Sequence, residues 1–289
     1  MTEPLIIRAS SLDRAPDCMR RFAARLLRKE IKAAGWAVRE DGRGVGAAIG
    51  TAVHFGASTA MAEKAKSGTL PPPNVATDAA IETLHQQLSW GVEYDKTLTR
   101  SQPVAEAQTL RQALSYHYYV APYREPLHVE QRFEAAIAWT RQPMVLSGQP
   151  DMVCREPDDV NDVKAGSRRS GHNAQVGAYS LLAQSMNITV NGGKIDWVPR
   201  VPLKKPQPRP VERRLDIALS ENMAVDTLRD IDRSVTVWRE GDPERGLQPG
   251  DPAAFPANPA SMLCGARYCP AHSCSRQNSF CNEWRKDEE

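Results

Sequence analysis

The stretch GQPDMVCREPDDVNDVKAGS, residues 148–167, sets charged residues inside runs that otherwise alternate as strands do. Charge on a half-buried strand is costly unless something pairs with it, so this stretch restricts the folds open to the chain. EPDD reads as a hairpin turn between residues 148–156 and 160–166. With Pro157 and Asp158 as a two-residue loop, Glu156 pairs with Asp159, and Asp151 lies opposite Lys164. Asp162, two residues from Lys164, shares that face because side chains alternate along a strand. Moving the loop by one residue changes each partner by two positions and keeps the face. Two acids and a lysine therefore converge on one patch.

That patch suits phosphodiester hydrolysis. Two carboxylates can bind a hard cation such as Mg²⁺ or Mn²⁺ and leave positions for water and a phosphate oxygen. The lysine can orient or help deprotonate the water and offset phosphate charge. An isolated D-x-K is also an ordinary surface ion pair, which contributes little to stability. Its neighbours have to decide.

The chain around it reads as α/β. Residues 10–33 predict an N-capped amphipathic helix with Cys18 in its first turn. A glycine-rich break leads to a second helix near 47–66, rich in small residues and carrying His54. SGTLPPPNVATD is a stiff loop, and residues 77–118 read as two or three helices broken around TRSQP. After APYREP the period changes to two in LHVEQRFEAAIAW, MVLSGQPDMVCRE and VNDVKAG, a β-meander. A helix at about 172–186, a strand KIDWVPRVPL and a helix at about 218–240 follow. KKPQPRPVERR cannot be a central strand, because proline donates nothing to a ladder.

Lys and Arg number 37 against 35 Asp and Glu, a balance that neither demands nor excludes nucleic acid. Basic runs at 20–29 and 204–214 are on their own weak signals. No apolar run near ~20 residues is apparent, which predicts a soluble, cytoplasmic protein without a membrane partner. Cys18 and Cys154 stand alone, while Cys264, Cys269, Cys274 and Cys281 crowd the tail. In a reducing compartment such a group points to a metal or an iron–sulfur site.

PD at 150–151, DVK at 162–164 and QVGAY, with Gln175 and Tyr179 one helical turn apart, together resemble the PD-(D/E)XK nuclease superfamily. The likeness is to its RecB-like exonuclease branch, which includes AddB-type, CRISPR-associated and phage enzymes. GTAVHFG is similar to that branch's histidine motif, Glu130 in HVEQRF to the acid on its first core strand, and SSLDRAPDCMRRF to its N-terminal helix with a cluster-ligating cysteine. Each motif is weak; their order along one chain is a strong signal.

The resemblance implies a restriction-endonuclease-like mixed sheet flanked by helices. Its parts would be an N-terminal helical region at 1–120, a nuclease core at 121–245, and a cysteine tail at 246–289 packed on the N-terminal helix. It implies Asp151, Asp162, His54 and Glu130 as ligands for Mg²⁺ or Mn²⁺, with Glu134 an alternative to Glu130. Lys164 would be catalytic, and Gln175 and Tyr179 would position phosphate or water. Cys18, Cys264 and Cys269, with Cys274 or Cys281, would hold a structural 4Fe-4S cluster. The tail spacing departs from the common family pattern, and its four cysteines alone could hold Zn²⁺. Cys154 reads as a buried core thiol. WVPRVPLKKPQPRP reads as a stiff arm along DNA, with Trp197 stacking on a base.

The expected function is a metal-dependent DNA exonuclease acting on single- or double-stranded ends. The resemblance places it in recombination, repair or phage DNA processing, with a recombination or helicase partner, in a bacterial or phage-infected cell. The rival readings are a catalytically silent DNA-binding protein on the same fold and a zinc-stabilised interaction module.

Overall fold

The computed structural model describes residues 3–40, 42–155, 158–167, 171–265, 268–272 and 278–282. Its strands fall into two sheets. The smaller contains Leu5–Arg8 (β1), Phe133–Ala136 (β3) and Met144–Gly148 (β4), in the order β1-β4-β3. The larger contains Pro126–Val129 (β2), Met152–Cys154 (β5), Asp159–Gly166 (β6), Gly192–Pro199 (β7) and Val211–Leu215 (β8), in the order β2-β5-β6-β7-β8. β6 and β7 run parallel, as do β1 and β4; the other pairs are antiparallel. The protein is therefore a mixed α/β structure.

The single meander expected from the sequence is cut in two. LHVEQRFEAAIAW divides into β2 and β3, which enter different sheets, and MVLSGQPDMVCRE divides into β4 and β5 at Gln149–Asp151. Pro150 cannot donate to a ladder, so the crossing between sheets falls where a hydrogen bond is missing anyway. β8 lies at the sheet's edge, and the proline-rich residues before it form no strand.

Side-chain alternation gives the larger sheet two different faces. Asn161, Val163, Lys194, Asp196 and Val198 point to one side, where Val163 and Val198 pack with Ala57, Met61 and Tyr116. Those partners belong to Val45–Ser67 (α3) and Gln102–Tyr119 (α5). On the same side Arg124 donates to Asp196 Oδ2 at 3.0 Å and to Glu212 Oε2 at 2.8 Å, so a buried cation and its acids compensate one another. Val160, Ile195 and Leu215 point to the other side, where they join the main core with Asn173–Ser185 (α6) and Ile217–Glu240 (α7). α7 begins at Asp216, whose carboxylate accepts from Leu219 N at 3.0 Å and caps the helix.

The helix expected over 10–33 is broken. Ala9–Arg14 is a 3-10 turn, Cys18 is extended, and Met19–Leu26 (α1) is separated by Leu27 from Arg28–Ala33 (α2). Pro16 has no amide hydrogen to continue a helix, which accounts for the first break. Residues 77–118 resolve into the end of Pro73–Ser89 (α4) and α5, each opened by a proline in its first turn, where the missing donor costs nothing.

α3 corrects a further expectation. It is long and apolar enough to cross a membrane by length and composition, and 56% of its most apolar window is buried within this protein. α4, α5 and the sheet provide that cover.

The two ends of the chain meet. Ala37 N donates to Asn278 O at 2.6 Å, Arg39 N to Pro270 O at 2.9 Å, and the Trp36 indole to Gly250 O at 2.9 Å. Trp238 of α7 packs against Phe255 and Phe280 with ring centroids 5.7 and 5.8 Å apart.

Candidate metal centre and cysteine pocket

β5 and β6 pair as Met152↔Asn161, Val153↔Val160 and Cys154↔Asp159. This differs by two positions from the register expected, in which Asp159 faced Glu156; residues 156–157 at the turn lie outside the described residues. The longer loop preserves the face, as alternation requires. Asp151, just before β5, accepts a hydrogen bond from Val163 N at 2.5 Å, and Asp162 and Lys164 project on the same side.

Five segments bring the site together. His54 comes from α3, its Nδ1 3.2 Å from Glu130 Oε1 and its Nε2 in contact with Asp151 Oδ1. Glu130 follows β2 with a φ of 50°, in the left-handed region uncommon for residues other than glycine. Its amide donates to Asp151 O at 3.1 Å, and its carboxylate accepts from Gln149 Nε2 at 2.6 Å. Lys164 Nζ lies 2.5 Å from Asp162 Oδ2. From α6, Gln175 Nε2 donates to Asp162 Oδ1 at 3.1 Å and to the Tyr179 hydroxyl at 2.9 Å.

His54, Glu130 and Asp151 each offer an atom within 4.8 Å of the others, a donor set for one cation. Glu134 is not an equivalent alternative. It sits on β3 in the other sheet and accepts from Ser147 Oγ at 2.9 Å.

The electrostatics are those of a desolvated, acid-rich centre. Burial pushes Asp162 above the usual carboxylate range; Lys164 opposes that shift, and Asp151 adds to it. Burial would lower His54, but Asp151 and Glu130 together hold it well above its ordinary value. Burial would also lower Lys164, yet Asp162 and Asp151 raise it, so it remains a cation. Tyr179 is held far up by burial and by the same two aspartates, so it remains a phenol. Oxygens with one imidazole nitrogen make a donor set suited to Mn²⁺ or Mg²⁺, and a bound dication would relieve this crowding of carboxylates.

Three supporting residues were not foreseen. Gln149 orients Glu130, and Arg132 in turn donates to Gln149 Oε1 at 2.9 Å. Asp13, from the N-terminal 3-10 turn, accepts from Ala174 N at 3.1 Å at the start of α6 and lies 3.6 Å from His172 Nδ1. Each lies inside a stretch that carries a signal (Gln149 in GQPD, Arg132 in HVEQRF, Asp13 in SSLDRAPDCMRRF), yet nothing in those stretches assigns it this role.

A second site lies where the chain ends meet. Cys18, Cys264, Cys269 and Cys281 line one small cavity, together with Arg21 and Ser261. Burial pushes Cys269 up to about 11, with neighbouring Cys281 and Cys18 adding to the shift. Among the described residues, no three cysteine sulfurs fall within 4.8 Å of one another. Cys274 lies outside the described residues. Cys154 is remote from this cavity: it is buried against α3 and α5, accepts from Asn161 Nδ2 at 3.0 Å, and is pushed by burial up to about 11.

The segment read as a DNA arm is fastened down. Arg111 of α5 donates to Leu203 O at 3.2 Å, and Gln112 donates to Val198 O at 2.9 Å, while Trp197 belongs to β7.

No protein family matches the sequence, and no curated protein does. Among solved structures, SSO0001 is similar at 15% identity with a TM-score of 0.33, over 79% of this chain and 78% of its own.

Proposed function

We propose that this protein is a divalent-metal-dependent DNA exonuclease with a PD-(D/E)XK core of the RecB-like type, its chain ends joined by a structural iron–sulfur cluster. The observation that carries the reading is the convergence of His54, Glu130, Asp151, Asp162, Lys164, Gln175 and Tyr179 around the Asp151 and Asp162 carboxylates at β5 and β6. A surface ion pair needs none of the other five.

His54, Glu130, Asp151 and Asp162 would hold the cation, which supplies Lewis acidity and a water activated near neutral pH. Lys164, kept protonated by Asp162 and Asp151, offsets phosphate charge and orients the water. Gln175 fixes the Asp162 carboxylate, and Tyr179 presents its hydroxyl beside it. The first test is digestion of end-labelled single- and double-stranded DNA with Mn²⁺ or Mg²⁺. Asp162→Ala should abolish cleavage while DNA binding persists; digestion at the wild-type rate by this variant would overturn the assignment.

For the cysteines, the reading is a cluster rather than a zinc knot confined to the tail because Cys18, from the other end of the chain, lines the same cavity as the tail cysteines. Cys281 rather than Cys274 is the fourth ligand in this reading, because Cys281 lines the cavity.

A further inference from the structure

The active face of the sheet continues past Lys164. In register, Asp162 pairs with Ile195 and then Arg213, and Lys164 pairs with Trp197 and then Val211. Paired residues in adjacent strands share a face, so these two rows run side by side from the candidate centre to the edge strand. Between them opens a cavity of about 200 Å³, lined by Lys164, His172, Ile195, Trp197, Val211, Glu212 and Arg213. His172 precedes α6, and Arg213 reaches toward the same helix end, its Nη2 3.4 Å from Asn173 Oδ1.

We propose that this cavity is a nucleobase subsite that receives one unpaired base next to the scissile phosphate. The inference rests on the nuclease reading and deepens it, because it makes a single-stranded terminus the substrate. The volume falls below the ~300–1,000 Å³ of pockets for drug-sized ligands and suits one heterocycle. Ile195 and Val211 make an apolar floor, Trp197 supplies an aromatic wall, and Lys164 and Arg213 add cations beside Glu212, whose charge Arg124 and Arg214 already compensate. A planar base with an anionic backbone has that combination of surfaces, and stacking on an aromatic side chain is how proteins hold single strands without reading sequence. A base inside a duplex has both faces covered by its neighbours and cannot present one to Trp197. Lys164 belongs both to this cavity and to the candidate centre, so a base seated here leaves its own phosphate beside Lys164.

The test separates binding from cleavage. In EDTA, where no metal supports hydrolysis, affinity is measured by fluorescence anisotropy for a single-stranded oligonucleotide, for the same strand with an abasic site scanned through its terminal positions, and for a blunt duplex. One abasic position should weaken wild-type binding about fivefold to a hundredfold, the range expected for a lost base–aromatic stack. Trp197→Ala should weaken intact single-strand binding by the same factor and become indifferent to that abasic position. Trp197→Phe should retain most of the affinity, and 2-aminopurine at that position should be quenched by the wild type and by Trp197→Phe. Should Trp197→Ala fail to fold, the abasic scan on the wild type and the Phe variant still decide. Equal affinity for intact and abasic strands at every position would overturn the subsite, as would blunt duplex bound as tightly as single strand. Cleavage with Mn²⁺ is measured separately. Stacking without cleavage removes the nuclease reading and leaves a base-binding pocket, whereas cleavage without an abasic effect removes the pocket alone.

Discussion

Gln175 donates its side-chain amide to Asp162 Oδ1 across 3.1 Å, so a helix sets the orientation of an acid on the neighbouring strand. The same nitrogen reaches Tyr179, and Asp13 holds the start of that helix. Gln175 is thus a positioning residue for Asp162. Gln175→Ala should lower kcat for DNA hydrolysis about ten- to a hundredfold, the cost of a misplaced reacting group, with KM little changed. A raised KM with kcat unchanged in steady-state kinetics would place Gln175 on the substrate instead.

Metal binding should be visible without catalysis. A cation that binds only the folded protein raises its stability by about 2.7 kcal/mol at a hundredfold excess over Kd. Mn²⁺ should therefore raise the melting temperature by several degrees, and at lower concentration than Mg²⁺, because one donor is an imidazole nitrogen. His54→Ala and Asp151→Ala should lose the shift. An unchanged shift in His54→Ala would assign that histidine to packing.

The pH dependence of stability has an origin away from this centre. His117 is 4% exposed on α5, its Nδ1 has no hydrogen-bond partner among the described residues, and burial holds its pKa below the ordinary histidine value. Between the folded value and ~6.5 the unfolded chain binds the extra proton, so stability is full above ~6.5 and falls as pH drops below it. The slope is bounded at about 1.4 kcal/mol per pH unit, one proton's worth. Urea denaturation of His117→Gln should show a shallower decline from pH 7 to 5. Parallel curves for variant and wild type would assign the acid sensitivity elsewhere.

Which parts of this arrangement the sequence discloses follows from the range of the forces that make it. Asp151, Asp162 and Lys164 fall on one face despite a register two positions from the expected one, because strand alternation survives a shift by whole pairs. The separation of β2 from β3 left no such trace. Each is four residues long with similar alternation, and their partners, β5 and β4, are only three residues apart in sequence. Glu130 owes its place to a left-handed backbone, and Asp13 meets Ala174 across 161 positions of sequence. Neither relation has a local signature. Trp197 is legible as a strand residue in KIDWVPRVPL, but its pairing with Lys164 of β6 has no local signature.

α6 and α7 approach closely at Gly177. A Cβ built there would lie 2.0 Å from Ser220 O and 2.2 Å from its carbonyl carbon, and a helix backbone cannot yield as a side chain can. Gly177→Ala should destabilise the protein by about 3 kcal/mol, the upper part of the usual overpacking range. Because α6 carries Gln175 and Tyr179, surviving folded protein should also cleave more slowly. An unchanged urea midpoint would mean that the helices separate without cost.

The cysteine pocket makes the last prediction, which separates two metals and two architectures at once. Cys18 stands at the start of α1, while Cys264, Cys269 and Cys281 come from the opposite end of the chain. A group bound by all of them closes a loop of nearly the whole chain, where a cross-link stabilises most in principle. Arg20 already donates to Phe255 O at 3.0 Å and Asn258 to Asp17 O at 2.8 Å, so the ends are aligned before any ligand is counted. Anaerobically purified protein should contain iron and absorb in the visible. Serine in place of Cys18, Cys264, Cys269 or Cys281 should each remove iron and colour and lower the melting temperature. Cys274→Ser should be mild. Cys154→Ser should retain iron in full, because that thiol packs with α3 and α5, accepts from Asn161 and does not line the cavity. One zinc per chain, kept by Cys18→Ser, would replace the cluster with a local zinc knot in the tail and leave the N-terminal contacts to hold the ends together unaided.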